Sequence, residues 1–160
     1  MSLDVNGSWA VWHGIGDHTD QKETSMKWAS PDGPHSQSAQ LDPDQTPFVV
    51  IPTSTLISDP DLARKLASEF HERTERNIGD WGVVIYGDKW VPAVIGDGGP
   101  FNKLGEASSQ VFRLVGLDRC KKWSDDNKHC VGMETKIPTK TLAPPRGDLH
   151  LLPSHGHERR

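Results

Sequence analysis

Residues 81–99 constrain the fold more than any other stretch of this chain. Trp81 to Tyr86 and Trp90 to Ile95 are two β-branched and aromatic runs separated by Gly87-Asp88-Lys89. That pattern predicts a β-hairpin closed by a glycine-containing loop. The second strand runs directly into Gly96-Asp97-Gly98-Gly99-Pro100, so one carboxylate is expected at a strand end.

The rest of the chain is arranged around that hairpin. Ser8 to His13 suggests a short strand, and residues 14–45, dense in Gly, Pro, Ser, Asp and Gln, suggest mostly loop. Thr46 to Pro52 is a proline-bounded β-branched run, expected as a buried strand. Ser58 is placed as an N-cap, with Pro60 in the first turn and Asp59 and Asp61 complementing the dipole. It opens a helix over about 59–75, with Leu62, Leu66, Ala67 and Phe70 inward. From Glu106 the spacing of Ala107, Val111, Leu114 and Val115 predicts a second helix that Gly116 stops. A last strand is expected at about 131–137, followed by a loosely packed Pro/His-rich tail. Strands outnumber helices and interleave with them irregularly. The expected class is α+β, mainly β, with a small β-barrel-like core, a double-psi-like barrel being one form of it, and two packed helices. The expected divisions are an N-terminal segment over 1–25, the main domain over 26–137 and a tail over 138–160.

Composition removes several classes of function. At 160 residues one core is expected. Only 34% of residues are apolar and the mean hydropathy is −0.61, so part of the chain, expected at both ends, lies outside that core. A net charge of −4 with scattered Lys and Arg offers no basic stripe for phosphates, so nucleic acid is not an expected partner. No apolar run is long enough to predict a membrane span, and Met1 to Gly16 lacks a cationic start and an apolar core, so no cleavable signal is visible.

Cys120 and Cys130 bracket a polar stretch. A disulfide across it is the preferred expectation, with two free thiols and a metal site using His129 as alternatives. A bridge implies an oxidising compartment. No metal and no cofactor are expected, and the His155-Gly156-His157 pair is not taken as a ligand set.

Asp97 and Glu106 are joined by eight Gly-rich residues and can face one cleft. Such a pair suits glycosidic cleavage, in which one carboxyl protonates the leaving oxygen while the other assists water or the anomeric carbon. A helix N-terminus stabilises the charged form of Glu106, which suits a base and leaves Asp97 as proton donor. Asn102 and Lys103 in the intervening loop, and Ser108 beside Glu106, are candidate substrate contacts. Ser108 and Ser109 lack a Gly-x-Ser-x-Gly elbow, so a serine nucleophile is not expected. The six tryptophans, Trp9, Trp12, Trp28, Trp81, Trp90 and Trp123, could stack on sugar rings, one or two at most lining a cleft.

The segment Val94-Ile95-Gly96-Asp97, then Leu104-Gly105-Glu106-Ala107-Ser108, resembles the core of the fungal-type chitosanases of glycoside hydrolase family 75. Thr46 to Pro52, Leu41-Asp42 and the strand Gly82 to Tyr86 are similar as well, so the resemblance covers about residues 26–137. It implies an endo-acting glycosidase that hydrolyses β-1,4-linked glucosamine polymers by inversion, with Asp97 and Glu106 as the catalytic pair. Where such enzymes carry an aspartate-rich stretch, this chain has Met26 to Gly33, in which only Asp32 remains as an acidic substrate contact. The alternatives are a peptidoglycan glycan hydrolase of the muramidase-like secreted-effector kind, for which an immunity or inhibitor protein is an expected partner, and a non-catalytic glycan-binding module. The expected location is extracellular or periplasmic.

Overall fold

The computed structural model describes residues 2–4, 7, 23–53, 59–100, 105–133 and 149–151. Its elements, in chain order, are β1 (Ser2–Asp4), a 3-10 turn (Gln37–Ala39), β2 (Phe48–Thr53), α1 (Pro60–Thr74), β3 (Trp81–Tyr86), β4 (Lys89–Pro100), β5 (Glu106–Ser108), α2 (Ser109–Leu114), β6 (Cys120–Trp123), β7 (Cys130–Met133) and β8 (Leu149–Leu151). Six strands form one mixed sheet in the order β1-β5-β2-β4-β3-β8, and β6 and β7 form a separate hairpin. The class is mixed and mainly β, as expected. The barrel is corrected: β1 and β8 are sheet edges, and no closed barrel forms among the described residues.

The hairpin β3–β4 forms as its sequence demands. Gly87 takes φ +62 in a two-residue loop, with Tyr86 opposite Lys89. Strand β2 lies in the middle of the sheet, parallel to β4 and paired with β5 on its other side. Its β-branched run is therefore buried on both faces.

Alternation divides the sheet into two faces. Val49, Ile51, Val84, Ala93, Ile95 and Ala107 point to one side, where Val111 and Phe112 of α2 and Phe70 of α1 pack on them. Phe48, Val50 and Val94 point to the other, under Leu41 and Met26. Both helices thus cover the first face, while an irregular segment, residues 23–45, covers part of the second. That segment is stitched to itself by Thr24 Oγ1, which donates to Met26 O and accepts from Leu41 N, and is tied to β4 by Met26 N donating to Gly96 O at 2.9 Å.

Several boundaries differ from expectation. Helix α1 starts one residue later, because the cap is Asp59, whose carboxylate accepts from Asp61 N and Leu62 N. Its inward stripe begins at Ala63, and Leu62 is exposed. Glu106 to Ser108 is a strand rather than the first turn of a helix, because these buried residues pair with β1 and β2; α2 begins at Ser109. Leu149–Leu151 pairs with β3 and Ser2–Asp4 with β5, so both outer segments contribute an edge strand to the same sheet. The expected strand at Ser8 to His13 and the proposed cap Ser58 lie outside the described residues.

The disulfide between Cys120 and Cys130 is present and joins β6 to β7, with their Cα atoms 5.7 Å apart. Arg113 of α2 lies over the ring of Trp123, 4.8 Å from its centre, so this tryptophan is packed against a helix.

Candidate functional site

The site grows from an irregularity in β4. Ile95 is the partner of Val49, but Asp97 is the partner of Val50, so Gly96 is an extra residue on β4. Strict alternation after Ile95 would turn Asp97 toward the apolar helix side. The bulge resets the alternation and puts Asp97 on the same face as Val50. Only glycine suits the extra position: a Cβ on Gly96 would stand 2.6 Å from Leu41 Cδ1 and 2.7 Å from Phe48 Cβ.

Glu106 reaches that face from the other side of β2. Its neighbour Ala107 pairs with Val49 and points to the helices, so Glu106 points the opposite way. Its Oε2 lies close to Gly99 of β4, where an added Cβ would come within 3.3 Å of it and 2.8 Å of Val50 Cγ1. The two carboxylates therefore flank Val50 on one face of the sheet. Both are buried, Asp97 to 3% exposure and Glu106 to 6%.

Three donors converge on Asp97 Oδ1: Ser25 N at 3.0 Å, Ser25 Oγ at 2.6 Å and Gly98 N at 2.7 Å. They fix the orientation of the carboxylate, and the exposed Ser25 lies on the solvent side of it. Ser25 was not anticipated. Its partner is 72 residues away in sequence, and nothing local distinguishes it from the other serines of that loop. Asp4 was also missed; it is a buried carboxylate opposite Ser108 on β1, two residues along from the row of Glu106.

The other expected contacts separate. Ser108 is fully buried; its Oγ donates to Thr46 O at 2.9 Å and accepts from Phe48 N at 3.0 Å. It clamps β5 to the entry of β2 and is committed to structure. Asp32 is exposed and closes a serine-rich turn, accepting from Ser38 Oγ at 3.0 Å. Asn102 and Lys103 lie outside the described residues.

A second polar cluster lies beneath the disulfide hairpin. Asp42, Asp44 and His129 each bring one ligand-type atom within 4.8 Å of the others. The fully buried Asp44 accepts from Ser109 Oγ and, at 2.8 Å, from Cys130 N. Asp42 accepts from Asp44 N at 3.0 Å and lies 3.2 Å from His129 Nδ1. These bonds hold the hairpin to the body of the protein. Burial pushes the Asp42 carboxyl up to about 6, with the charge of Asp44 adding to it and the hydrogen bond from Asp44 N and the charge of His129 opposing it.

No protein-family model matches the chain, and no curated protein matches it. No helix among the described residues is long and apolar enough to cross a membrane.

Proposed function

We propose that this protein is a glycoside hydrolase acting on a β-1,4-linked amino-sugar polymer of the chitosan type, with Asp97 and Glu106 as its catalytic carboxylates. The observation that carries this reading is the placing of two buried carboxylates on one face, either side of Val50, by a bulge whose extra residue has no room for a side chain. A bulge that re-aims one acid toward another is the sort of device found beside active sites. Paired acids are what glycosidic cleavage requires.

In this mechanism one carboxyl delivers a proton to the glycosidic oxygen as the bond to the anomeric carbon breaks. The other accepts a proton from the water that attacks that carbon. Asp97 Oδ1, already accepting from three donors, is suited to the acceptor role. Glu106 is then the proton donor. This reverses the roles expected from a helix N-terminus, since Glu106 is in a strand and the dipole argument no longer applies to it.

A second reading keeps the chemistry and exchanges the polymer for the glycan of peptidoglycan. It is favoured by the stretch leading away from Ser25, where Lys27 pairs with Glu23 and residues 26–33 hold one acid, Asp32. A polycationic substrate would be better served by several acids there. In either reading the disulfide suits work outside the reducing cytosol, in an extracellular or periplasmic space.

The deciding experiment is mass-spectrometric product analysis after incubating wild type and Asp97→Asn with chitosan and, separately, with purified peptidoglycan. Glucosamine oligomers from wild type alone support the first reading. Muropeptides alone support the second. No products from either polymer would overturn the hydrolase assignment and leave a glycan-binding module.

A further inference from the structure

Among the described residues, the segment 23–45 covers only part of the second face of the sheet, and the part beyond it carries exposed aromatic residues. Trp81 lies opposite Val94, Val83 opposite Pro92 and Ile85 opposite Trp90. Directly opposed residues share a face, and Val94 belongs to the cluster under Leu41 and Met26. All six side chains therefore lie on the face that carries Asp97 and Glu106. Trp81 is 61% exposed and Trp90 is 68% exposed, while Pro92 is exposed and Val83 and Ile85 are half-buried between them.

Two exposed indole rings with Val83, Ile85 and Pro92 between them make one apolar strip, the kind of surface that marks an interaction site. Trp90 is seven residues before Asp97 on one strand, and Trp81 is opposite a residue three before it. At the usual strand rise the aromatic strip extends roughly 20 Å from the carboxylates. Asp88 stands two residues before Trp90 in the hairpin loop, while Asp80, just before Trp81, accepts from Asn77 N at 2.9 Å. Lys89, the cation next to Trp90 in sequence, is turned to the helix side: a Cβ on Gly116, just past the end of α2, would lie 2.3 Å from its Nζ.

We infer that Trp81 and Trp90 form an extended stacking platform for the glucosamine polymer, holding several sugar units on one side of the bond that Asp97 and Glu106 cleave. This rests on the proposed function for its choice of ligand. Pyranose rings present apolar faces that stack on indole and polar edges that stay wet, and their ammonium groups complement Asp88 and the net charge of −4. A platform reaching this far from the acids favours long chains over dimers and trimers, which cannot touch both tryptophans and the carboxylates together.

The test is binding of soluble glycol chitosan in affinity electrophoresis, with purified peptidoglycan sacculi in a parallel sedimentation assay. The proteins are wild type, Asp97→Asn, Trp81→Ala and Trp90→Ala, each checked for an unchanged circular dichroism spectrum and for its association state by analytical ultracentrifugation. The expected result is tight retention of wild type by glycol chitosan, and weakening by about fivefold or more in each tryptophan variant. Equal binding by all four overturns the platform while leaving the carboxylate assignment to product analysis. Tryptophan-dependent binding to sacculi alone overturns the stated ligand. A wild-type dimer that Trp81→Ala or Trp90→Ala dissociates overturns the platform in favour of a second copy as occupant. Tryptophan-dependent chitosan binding by a wild type that hydrolyses neither polymer upholds the platform and removes the hydrolase assignment.

Discussion

Asp97 is the Cα partner of Val50, although the residue two before it, Ile95, is the partner of Val49. That one-residue discrepancy decides which side of the sheet the carboxylate occupies. On the proposed mechanism its chemical consequence is direct. Asp97→Asn and Glu106→Gln should each lower hydrolysis of the polymer by about 10²- to 10⁴-fold, the range that a positioned acid or base contributes. Steady-state rates on whichever glycan is cleaved check this, with the fold confirmed by circular dichroism.

The division of roles can be tested separately. If Asp97 accepts the proton from water, Asp97→Ala should regain activity with added azide, whose attack needs no base. Glu106→Gln should regain it with an aryl glycoside whose leaving group needs no acid. Rescue in the opposite pattern would exchange the two assignments.

Ser25→Ala removes one of the three donors to Asp97 Oδ1. A hydrogen bond to a charged group contributes about 1.5–3 kcal/mol, so kcat should fall about tenfold or more while KM changes little. Ser25→Thr, which keeps the hydroxyl, should recover most of the loss in the same assay.

Gly96→Ala should destabilise the protein by about 1–3 kcal/mol, the usual cost of overpacking, because its methyl would press on Leu41 and Phe48. Urea unfolding gives the stability. Activity should fall further than stability does, since any shift at Gly96 moves Asp97.

Asp42 makes stability depend on pH in a defined direction. Its carboxyl is raised from 3.8 to about 6 in the folded protein, so the folded state binds its proton more tightly than the unfolded chain. The stabilising contribution is full below about 3.8 and is lost as pH rises through about 6. Asp42→Asn removes this dependence, so its stability relative to wild type should improve between pH 4 and pH 7 in parallel urea titrations.

Much of the architecture is legible in the sequence because its signals are local. The hairpin of β3 and β4 follows from two β-branched runs and a glycine turn, and α1 follows from Asp59, Pro60 and the spacing of Leu66, Ala67 and Phe70. The edge strands β1 and β8 were missed because three residues pairing at a sheet edge carry no periodicity of their own. The helical interval of Ala107 and Val111 draws Glu106 into a helix on sequence grounds, while its pairing with distant strands leaves no local trace. The carboxylate pair could be named from its motif. Ser25 could not, since only the folded chain brings it to Asp97.

Because both helices pack on one side of the sheet and both carboxylates stand on the other, the packing against the helices and the character of the opposite surface are encoded at alternate positions of the same strands. Substitutions at Trp81, Val83, Ile85, Trp90 and Pro92 can remodel that surface without disturbing Val84, Val91, Ala93 or Ile95 beneath. An engineer could therefore vary Trp81, Val83 and Ile85 of β3 and Trp90 and Pro92 of β4 while keeping the core, Val94 included, as it is.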